Sequence, residues 1–446
     1  MIITHRVNGV SKWVSYLVVG ILLLMGVGLE APRVSAQGVE STPLTRLGYG
    51  TLANGSPIAW RGMGGVGIGM SSSSVINLQN PAAYGATDSL SFLLDIGASA
   101  IWGHYKDAND KKNALLGGLD YIALQFPVYK NRFAVSLGVV PFSSVGYSLY
   151  NTVKIEGRET GNIMLQTFNG SGSLQSLYLG LGAHIYKGLY LGVNAKYHFG
   201  MLTHTVHLQP SVQVLSQDFH SYTIRLDDWG VDMGLQYKFA LPNERKDELT
   251  LGLTYTPQMK LTPEMTYFVN RNYGSKSKPI IESDTVRMKT ATPHKIGFGL
   301  SWDMPQRMTI AADIEAQLWG LKGINNPFVN DKVEFSNTYR GALGVQITPD
   351  AFSRKYYQRM YYRGGLNYQN SYLMVPELGQ VHQVGATFGI GMPLKVYSSD
   401  RTSIVNLTLE YNHRFSTLQK NFSQDMLKLS LSLNFNETWF RKLKIQ

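Results

Sequence analysis

The side chains that could carry out chemistry are few in this sequence of 446 residues. It contains no cysteine, which excludes disulfides, thiolate metal sites, a cysteine nucleophile and a lipid-anchored cysteine. The ten histidines show no metal-ligand spacing, and the patterns H-E-x-x-H and G-x-S-x-G are both missing. His294 and His382 lie near inferred strand ends without a convincing serine or aspartate partner. We therefore expect no catalytic residue, no metal, no cofactor and no enzymatic activity.

One glycine-rich segment formally fits a nucleotide-binding pattern. The stretch from Gly62 to Gly67 matches G-x-G-x-x-G. That pattern needs a buried strand before it and a helix after it, whereas residues 59–61 are not such a strand and the serines from Ser71 to Ser74 open no obvious helix. We interpret the segment instead as one that packs compactly, because glycine permits tight reversals and close backbone approach.

Composition and charge favour many short strands. The chain has 45 Gly, 26 Tyr and 18 Phe but only 16% charged residues, against about 25% in a typical soluble domain. The net charge of +11 is scattered, and the one dense basic run is residues 441–444. Basic loops that face anionic lipid explain this charge, and we expect no binding to nucleic acid.

The elements that would position any site are strands with a period of two. From Leu427 to Phe435 every odd residue is apolar and every even residue is polar, which places one face toward lipid and the other toward water. The same alternation recurs in segments 177–185, 189–199, 249–255, 296–302, 308–314, 339–347 and 405–411. Their polar faces carry Asp313, Glu315, Arg340 and Glu410, which a water-filled or ligand-filled lumen accepts easily.

The connections between these strands alternate in length. Six short connections are predicted near 129–132, 187–188, 241–247, 303–307, 349–358 and 393–402, and seven longer ones near 105–115, 143–173, 203–220, 258–292, 320–335, 373–380 and 416–423. Short periplasmic turns and longer outer loops are typical of outer-membrane barrels. The sequence therefore predicts an all-β fold, a transmembrane antiparallel β-barrel of about 14 strands with both chain ends in the periplasm.

The N-terminus predicts export. His5, Arg6 and Lys12 precede an apolar stretch, and small residues end it at Ala36. This pattern is typical of a cleaved signal peptide, and the run is a little short for a membrane-spanning helix. We predict a signal peptide over 1–36, a hatch or plug inside the lumen over 37–88, a barrel over 89–436 and a basic periplasmic tail over 437–446.

The chain resembles a known family at this point. A glycine-rich stretch, then Asn-Pro-Ala, then a fourteen-strand barrel is similar to the long-chain fatty acid outer-membrane transporter family (FadL/TodX-like). The resemblance implies that these residues form the hatch motif: Gly62, Gly64, Gly65, Gly67, Asn80, Pro81 and Ala82.

A second part of the resemblance concerns the third strand. Pro141 and Gly146 lie where members of the family have a strand kink that opens the barrel wall toward lipid. Proline cannot donate to a strand ladder, so we expect an interruption at Pro141. The alternative is that Pro141 only marks the outer end of the strand, where a loop begins.

The resemblance implies passive uptake of hydrophobic molecules, such as long-chain fatty acids or aromatic hydrocarbons, across the outer membrane of a Gram-negative cell. A ligand carboxylate would need donors, and Lys196, His198 and Arg340 point inward by parity. The alternative for these three is pairing with Asp313, Glu315 or Glu410.

A different class of function also stays open. Some proteins of similar appearance are subunits of a protein-secretion apparatus that bind or shuttle cargo proteins. The expected partners are accordingly outer-membrane lipid and lipopolysaccharide, together with either a hydrophobic small molecule or secretion-system proteins. An apolar, ligand-sized cavity beside the hatch would favour transport, and loop contacts with a partner protein would favour secretion.

Overall fold

The computed structural model of the protein describes residues 42–89, 91–106, 111–129, 132–154, 163–211, 217–272, 280–321, 324, 333–395 and 401–438. The predicted signal peptide and the tail from residue 439 lie outside these ranges. The described helices are short: α1 is Ile58–Arg61, and 3-10 turns span Pro43–Arg46, Pro81–Ala86 and Tyr356–Gln358. Within the described ranges, no helix is long and apolar enough to cross a membrane.

Fourteen strands form the wall of a closed antiparallel barrel. They are β1 Ser91–Lys106, β2 Lys111–Tyr129, β3 Phe133–Lys154, β4 Ile163–Tyr186, β5 Leu189–Pro210, β6 Gln217–Ala240, β7 Glu248–Thr256, β8 His294–Met304, β9 Met308–Leu318, β10 Thr338–Ile347, β11 Tyr361–Val375, β12 Gly379–Lys395, β13 Thr402–Ser416 and β14 Ser423–Thr438. Each strand pairs with the next along the chain, and β14 pairs back onto β1 from Ser91↔Thr438 to Lys106↔Ser423. The predicted fold class and strand number are confirmed.

The two faces of the wall differ as the alternation predicts. On β4, Leu177, Leu179 and Leu181 are exposed on the outer surface, whereas Tyr178 between them is buried against the interior. Lipid and lumen impose opposite demands on successive side chains of such a strand. This contrast determines which side chains of the wall face the segment inside the barrel.

The strands on one side of the barrel are longer than the sequence pattern predicts. Residues 143–173 and 203–220 were expected to form loops, but β3 continues to Lys154, β4 begins at Ile163 and β6 begins at Gln217. The segment 258–292 holds a hairpin, Glu264–Asn272 and Ile280–Arg287, which extends this sheet by pairing with β6. In these outer parts apolar residues occur on both faces, such as inward Leu149 and Phe168 and exposed Tyr150 and Val153, and they are mixed with polar residues. Strict alternation is therefore lost while backbone pairing continues.

The last strand also exceeds its predicted end. β14 runs to Thr438, so the first two residues of the predicted tail, 437–438, belong to the barrel. They pair with Phe92 and Ser91 of β1. Polar side chains at 436–438 hide this extension in the sequence, because alternation stops at Phe435.

One seam of the wall is incomplete. Among the described residues, the pairing of β2 with β3 runs from Tyr129↔Phe133 to Ile122↔Val139 and ends there. Pro141 lies two residues further along β3, beside a register shift in the β3–β4 ladder between Pro141 and Ser143. Because β3 continues well past it, Pro141 does not mark the end of the strand.

Candidate functional site

The segment from Thr42 to Asp88 fills the lumen, and we call it the plug. Its buried residues contact strands around the whole barrel: Asn80 and Pro81 reach β5 and β6, Ile68 reaches β7 and β8, and Met63 reaches β10 and β11. Ile58, Met63, Val66, Ile68 and Tyr84 are at most 1% exposed. The plug is therefore part of the protein core.

Glycines on the inner face of the wall make room for the plug backbone. A Cβ atom added to any of them would lie between 2.0 and 3.1 Å from a plug atom, closer than side chains normally approach, because the two backbones touch. These wall glycines are Gly182, Gly192, Gly234, Gly252, Gly299, Gly344, Gly365 and Gly389. Absence of a side chain permits this close approach. A narrow backbone-to-backbone fit thus joins wall and plug.

The predicted hatch motif lies at the centre of this fit. The side-chain nitrogen of Asn80 donates to the carbonyl oxygens of Ile68 (2.8 Å) and Leu235 (3.3 Å), and its side-chain oxygen accepts from the backbone nitrogen of Ala82 (3.1 Å). Asn80 caps the 3-10 turn that begins at Pro81, a position that suits proline because the first turn needs no amide donor. Asn80 therefore connects two parts of the plug and the wall.

We expect Asn80→Ala to lower the free energy of unfolding by about 1–3 kcal/mol, because it removes the acceptor of the buried Ala82 amide and the bonds to the Ile68 and Leu235 carbonyl oxygens. Chemical denaturation of the refolded barrel in lipid or detergent measures this. Asn151→Ala, at an exposed position in the outer part of β3, serves as the control and should leave stability unchanged. Equal stabilities for the two variants would contradict the proposed role of Asn80.

The other residues of the motif are held by wall side chains. The backbone nitrogen of Gly64 donates to the Thr387 hydroxyl (2.8 Å), and those of Gly67 and Ile68 donate to one carboxylate oxygen of Asp313 (2.6 and 2.9 Å). The stretch that fits a nucleotide-binding pattern thus turns its amides toward the protein's own carboxylate.

A buried charge cluster links the plug to the wall. Arg61 at the end of α1 forms an ion pair with Asp120 on β2, and both side chains are less than 10% exposed. Asp120 also accepts from the Ser99 hydroxyl (2.5 Å) and lies 3.7 Å from the Lys428 ammonium. Burial alone would lower the pKa of Arg61, but Asp120 raises it, so the guanidinium stays charged. No local sequence pattern marks this cluster, since its members are distant along the chain.

The three residues predicted to bind a ligand carboxylate, Lys196, His198 and Arg340, lie in different surroundings. Lys196 forms an ion pair with Asp232. The Nδ1 atom of His198 forms a hydrogen bond with the Ser176 hydroxyl (2.7 Å). The centroid of its ring lies 4.8 Å from that of the Phe142 ring. Arg340 donates through Nη2 to the carbonyl oxygens of Gly64 and Gly65. None of these contacts is with the carboxylates expected from the sequence.

Gly146, predicted as part of a wall opening, docks the start of the plug. Its carbonyl oxygen accepts from the Thr42 backbone nitrogen and the Thr45 hydroxyl, both at 2.9 Å. Further along, Thr51–Leu52 forms a short strand that pairs with Ser143 and Ser144 of β3. The plug therefore lies against the part of β3 that β2 leaves unpaired.

Two cavities of about 100 and 150 Å³ flank this short strand of the plug. The larger contains four cationic side chains, Arg61, Arg340, Arg414 and Lys428, and two carboxylates, Asp120 and Glu410. Pockets that bury a drug-sized ligand are typically about 300–1,000 Å³ and mainly apolar. Both cavities are smaller than that range, and the larger is strongly charged.

The apolar side chains of the lumen are packed against one another. Plug residues Leu47, Tyr49 and Leu52 join a cluster with wall and loop residues, which include Val145, Tyr147, Leu174, Leu202, Ile224, Leu226, Trp319 and Tyr372. Tyr49 and Trp319 lie 6.3 Å apart, centroid to centroid. We call this set the lumen cluster. It occupies space that an apolar ligand would need.

Comparison with known proteins gives one family and a set of similar folds. A family model described as BamG matches residues 17–446. The structure is similar to the CymD monoaromatic hydrocarbon channel (TM-score 0.57, 13% identity, 87% of this chain and 98% of that one) and to the P. putida toluene transporter TodX (0.57, 14%, 87% and 100%). A Pseudomonas aeruginosa FadL homologue gives 0.57 at 13% identity, with 87% and 99% covered. No curated protein matches the sequence. At such low identity these structures establish a FadL-like fold.

Proposed function

We propose, from the premise that this chain belongs to the BamG family, that it is a FadL-like barrel subunit associated with the β-barrel assembly machinery (BAM) of a Gram-negative outer membrane. The observation that carries the proposal is the family match, which spans residues 17–446. The partners are then proteins of that machinery, together with outer-membrane lipid and lipopolysaccharide. This is the secretion-type alternative of the sequence analysis, narrowed to barrel assembly.

The contents of the lumen support this function over solute uptake. An apolar solute needs an apolar cavity. In this lumen, however, the side chains of the lumen cluster fill the apolar space. The two cavities beside the plug are small, and six charged side chains line the larger one. A hydrocarbon chain placed there would displace water from charged groups without pairing them, which costs free energy. A role in protein contacts does not require an empty lumen.

The long strands supply a surface for such contacts. β4 and β6 each have 24 residues, whereas a strand needs only about 9–11 to cross a bilayer. On the outer face of β5 and β6, Tyr197 and Trp229 form an aromatic pair at 5.2 Å, typical of a membrane interface. The strand segments beyond that pair, with the hairpin that extends them, are available to a neighbouring protein.

A second candidate function is the uptake of hydrophobic compounds, and the incomplete β2–β3 seam favours it. A solute that reached the seam could leave sideways into lipid, with a gain of about 0.8 kcal/mol for each buried CH₂ group. The plug strand Thr51–Leu52 lies at the seam in the structure. Uptake would therefore require this strand to move.

Depletion of the protein in its native cell tests the proposal. We expect the amounts of folded outer-membrane barrels to fall, because assembly loses a subunit, while periplasmic and inner-membrane proteins keep their levels. Uptake of a labelled long-chain fatty acid or of toluene, measured in the same cells, distinguishes the candidates. Normal barrel levels with a specific loss of uptake would contradict the assembly role and favour the channel.

A further inference from the structure

Only one of the two terminal nitrogen atoms of the Arg340 guanidinium group forms hydrogen bonds with the described residues. On β10 it is 7% exposed, and its Nη2 atom donates to the carbonyl oxygens of Gly65 (2.7 Å) and Gly64 (3.2 Å). Its Nη1 atom is buried and has no hydrogen-bond partner among the residues that the structure describes. A buried, charged donor without a partner is costly, and Arg340 lines both cavities beside the plug. Its unused nitrogen therefore points to a missing acceptor there.

Among the residues that the structure describes, the charged groups that line both cavities are all cations. Eight residues line both cavities, namely Thr51, Leu52, Ala53 and five polar residues, Asn54, Arg340, Gln369, Gln383 and Arg414. The carboxylates lie to either side: Glu315 lines only the smaller cavity and pairs with Lys295 at 3.0 Å, while Asp120 and Glu410 line only the larger. Two guanidinium groups thus face the shared space.

Several polar side chains around this space are oriented to donate. The Nε atom of Arg414 donates to the Gln383 side-chain oxygen (2.8 Å), and the Gln383 nitrogen donates to the Asn412 side-chain oxygen (3.0 Å). The Asn54 side-chain oxygen accepts from Gln79 (3.1 Å), so its nitrogen is left as a donor. These three amide oxygens are already occupied. Among the described residues, the donors that remain toward this space are the Asn54 side-chain nitrogen and the Arg340 Nη1 atom.

One plug residue brings two of these donors together. Gly65 has φ of +80°, and a Cβ atom there would lie 2.7 Å from both the Arg340 Nη2 atom and the Asn54 side-chain nitrogen. A side chain at this position would occupy the space that the donors use. Glycine permits both this backbone conformation and the close approach.

We propose that this space is a binding site for a small oxyanion of the phosphate type, held by Arg340 and Arg414 with the Asn54 amide as a third donor. Bidentate guanidinium contacts suit phosphate oxygens, and charge-assisted hydrogen bonds are strong in a low-dielectric interior. The two cavities that meet at this space, of about 100 and 150 Å³, have room for an anion of the size of phosphate. The site is independent of the proposed assembly function.

Titration calorimetry with inorganic phosphate tests the site, on the mature, detergent-solubilised barrel at constant ionic strength. We expect saturable binding to one site, weakened at least about tenfold in Arg340→Gln by the loss of one charged contact. Arg414→Gln should weaken it similarly, and it provides the test if the first variant does not fold. Lysophosphatidic acid as a competitor identifies the source of the phosphate group: displacement indicates a lipid headgroup, and no displacement indicates a free anion.

The matched control is Arg363→Gln. Arg363 is another buried lumen arginine, but it already donates to Gln346 and Asn406, both at 2.7 Å, and lines neither cavity. This variant should bind phosphate like the wild type. Absence of saturable binding to the wild type, or equal loss in Arg363→Gln and Arg340→Gln, would overturn the proposal.

Discussion

Replacement of Gly365 by alanine is expected to displace the plug from its contacts with the wall. A Cβ atom at this position of β11 would overlap the backbone of Met63 and Gly64. The Gly64 backbone cannot move without breaking other contacts, since its nitrogen is bonded to Thr387 and its carbonyl oxygen to Arg340. We expect a loss of about 1–3 kcal/mol in the free energy of unfolding, as for other overpacked cores. We also expect a higher ion conductance for the variant in a planar bilayer.

The neighbouring residue provides the control. Gly364 lies in the same strand, and no atom of the described residues lies within 4 Å of the position that its Cβ would occupy. Gly364→Ala should therefore keep both the stability and the low conductance of the wild type. If the Gly365→Ala barrel has the same low conductance and the same stability as the Gly364→Ala barrel, the plug is not held by backbone contact with the wall.

The largest single loss of stability is expected for Asp120→Ala. The substitution leaves the Arg61 guanidinium buried without its main counterion, and removal of one member of a buried ion pair typically costs about 3–5 kcal/mol. The Ser99 hydroxyl and the Lys428 ammonium also lose a shared acceptor. Denaturant unfolding in lipid vesicles measures the change.

Two further variants isolate the cause. Asp227→Ala removes an ion pair of similar geometry with Arg225, but at an exposed position, and solvent screening should make its effect small. Arg61→Met added to Asp120→Ala removes the unpaired charge and should restore part of the stability. If the double variant is less stable than Asp120→Ala, the uncompensated charge on Arg61 is not the cause.

The sequence predicts the wall of this barrel well because a membrane imposes a rule that is local along the chain. Successive residues such as Leu177 and Tyr178 must face lipid and lumen in turn, so alternation alone locates the strand. The rule stops at the membrane boundary. The outer parts of β3 and β4 were therefore expected to be loops, since apolar and polar side chains are mixed on both of their faces and leave no clear period to detect.

The interior is less predictable because its contacts join distant parts of the chain. Arg61 and Asp120 are 59 positions apart, and no local pattern marks them as partners. The same limit applies to Lys196, whose parity correctly places it inward while its partner is Asp232. The glycine-rich stretch was expected to pack compactly, and its amides are bonded to Thr387 and Asp313. Which wall residues would bind it could not be derived from spacing.

Affinity purification of the tagged protein from its native outer membrane, under mild detergent and with quantitative mass spectrometry, tests the central claim most directly. The proposal predicts that the central barrel-forming subunit of the assembly machinery co-purifies in a fixed ratio and that the two crosslink. A tagged, unrelated barrel of similar abundance serves as the control. A protein that purifies alone, with its partners at the level of that control and a hydrophobic compound bound in its lumen, would contradict the assembly role and identify a channel instead.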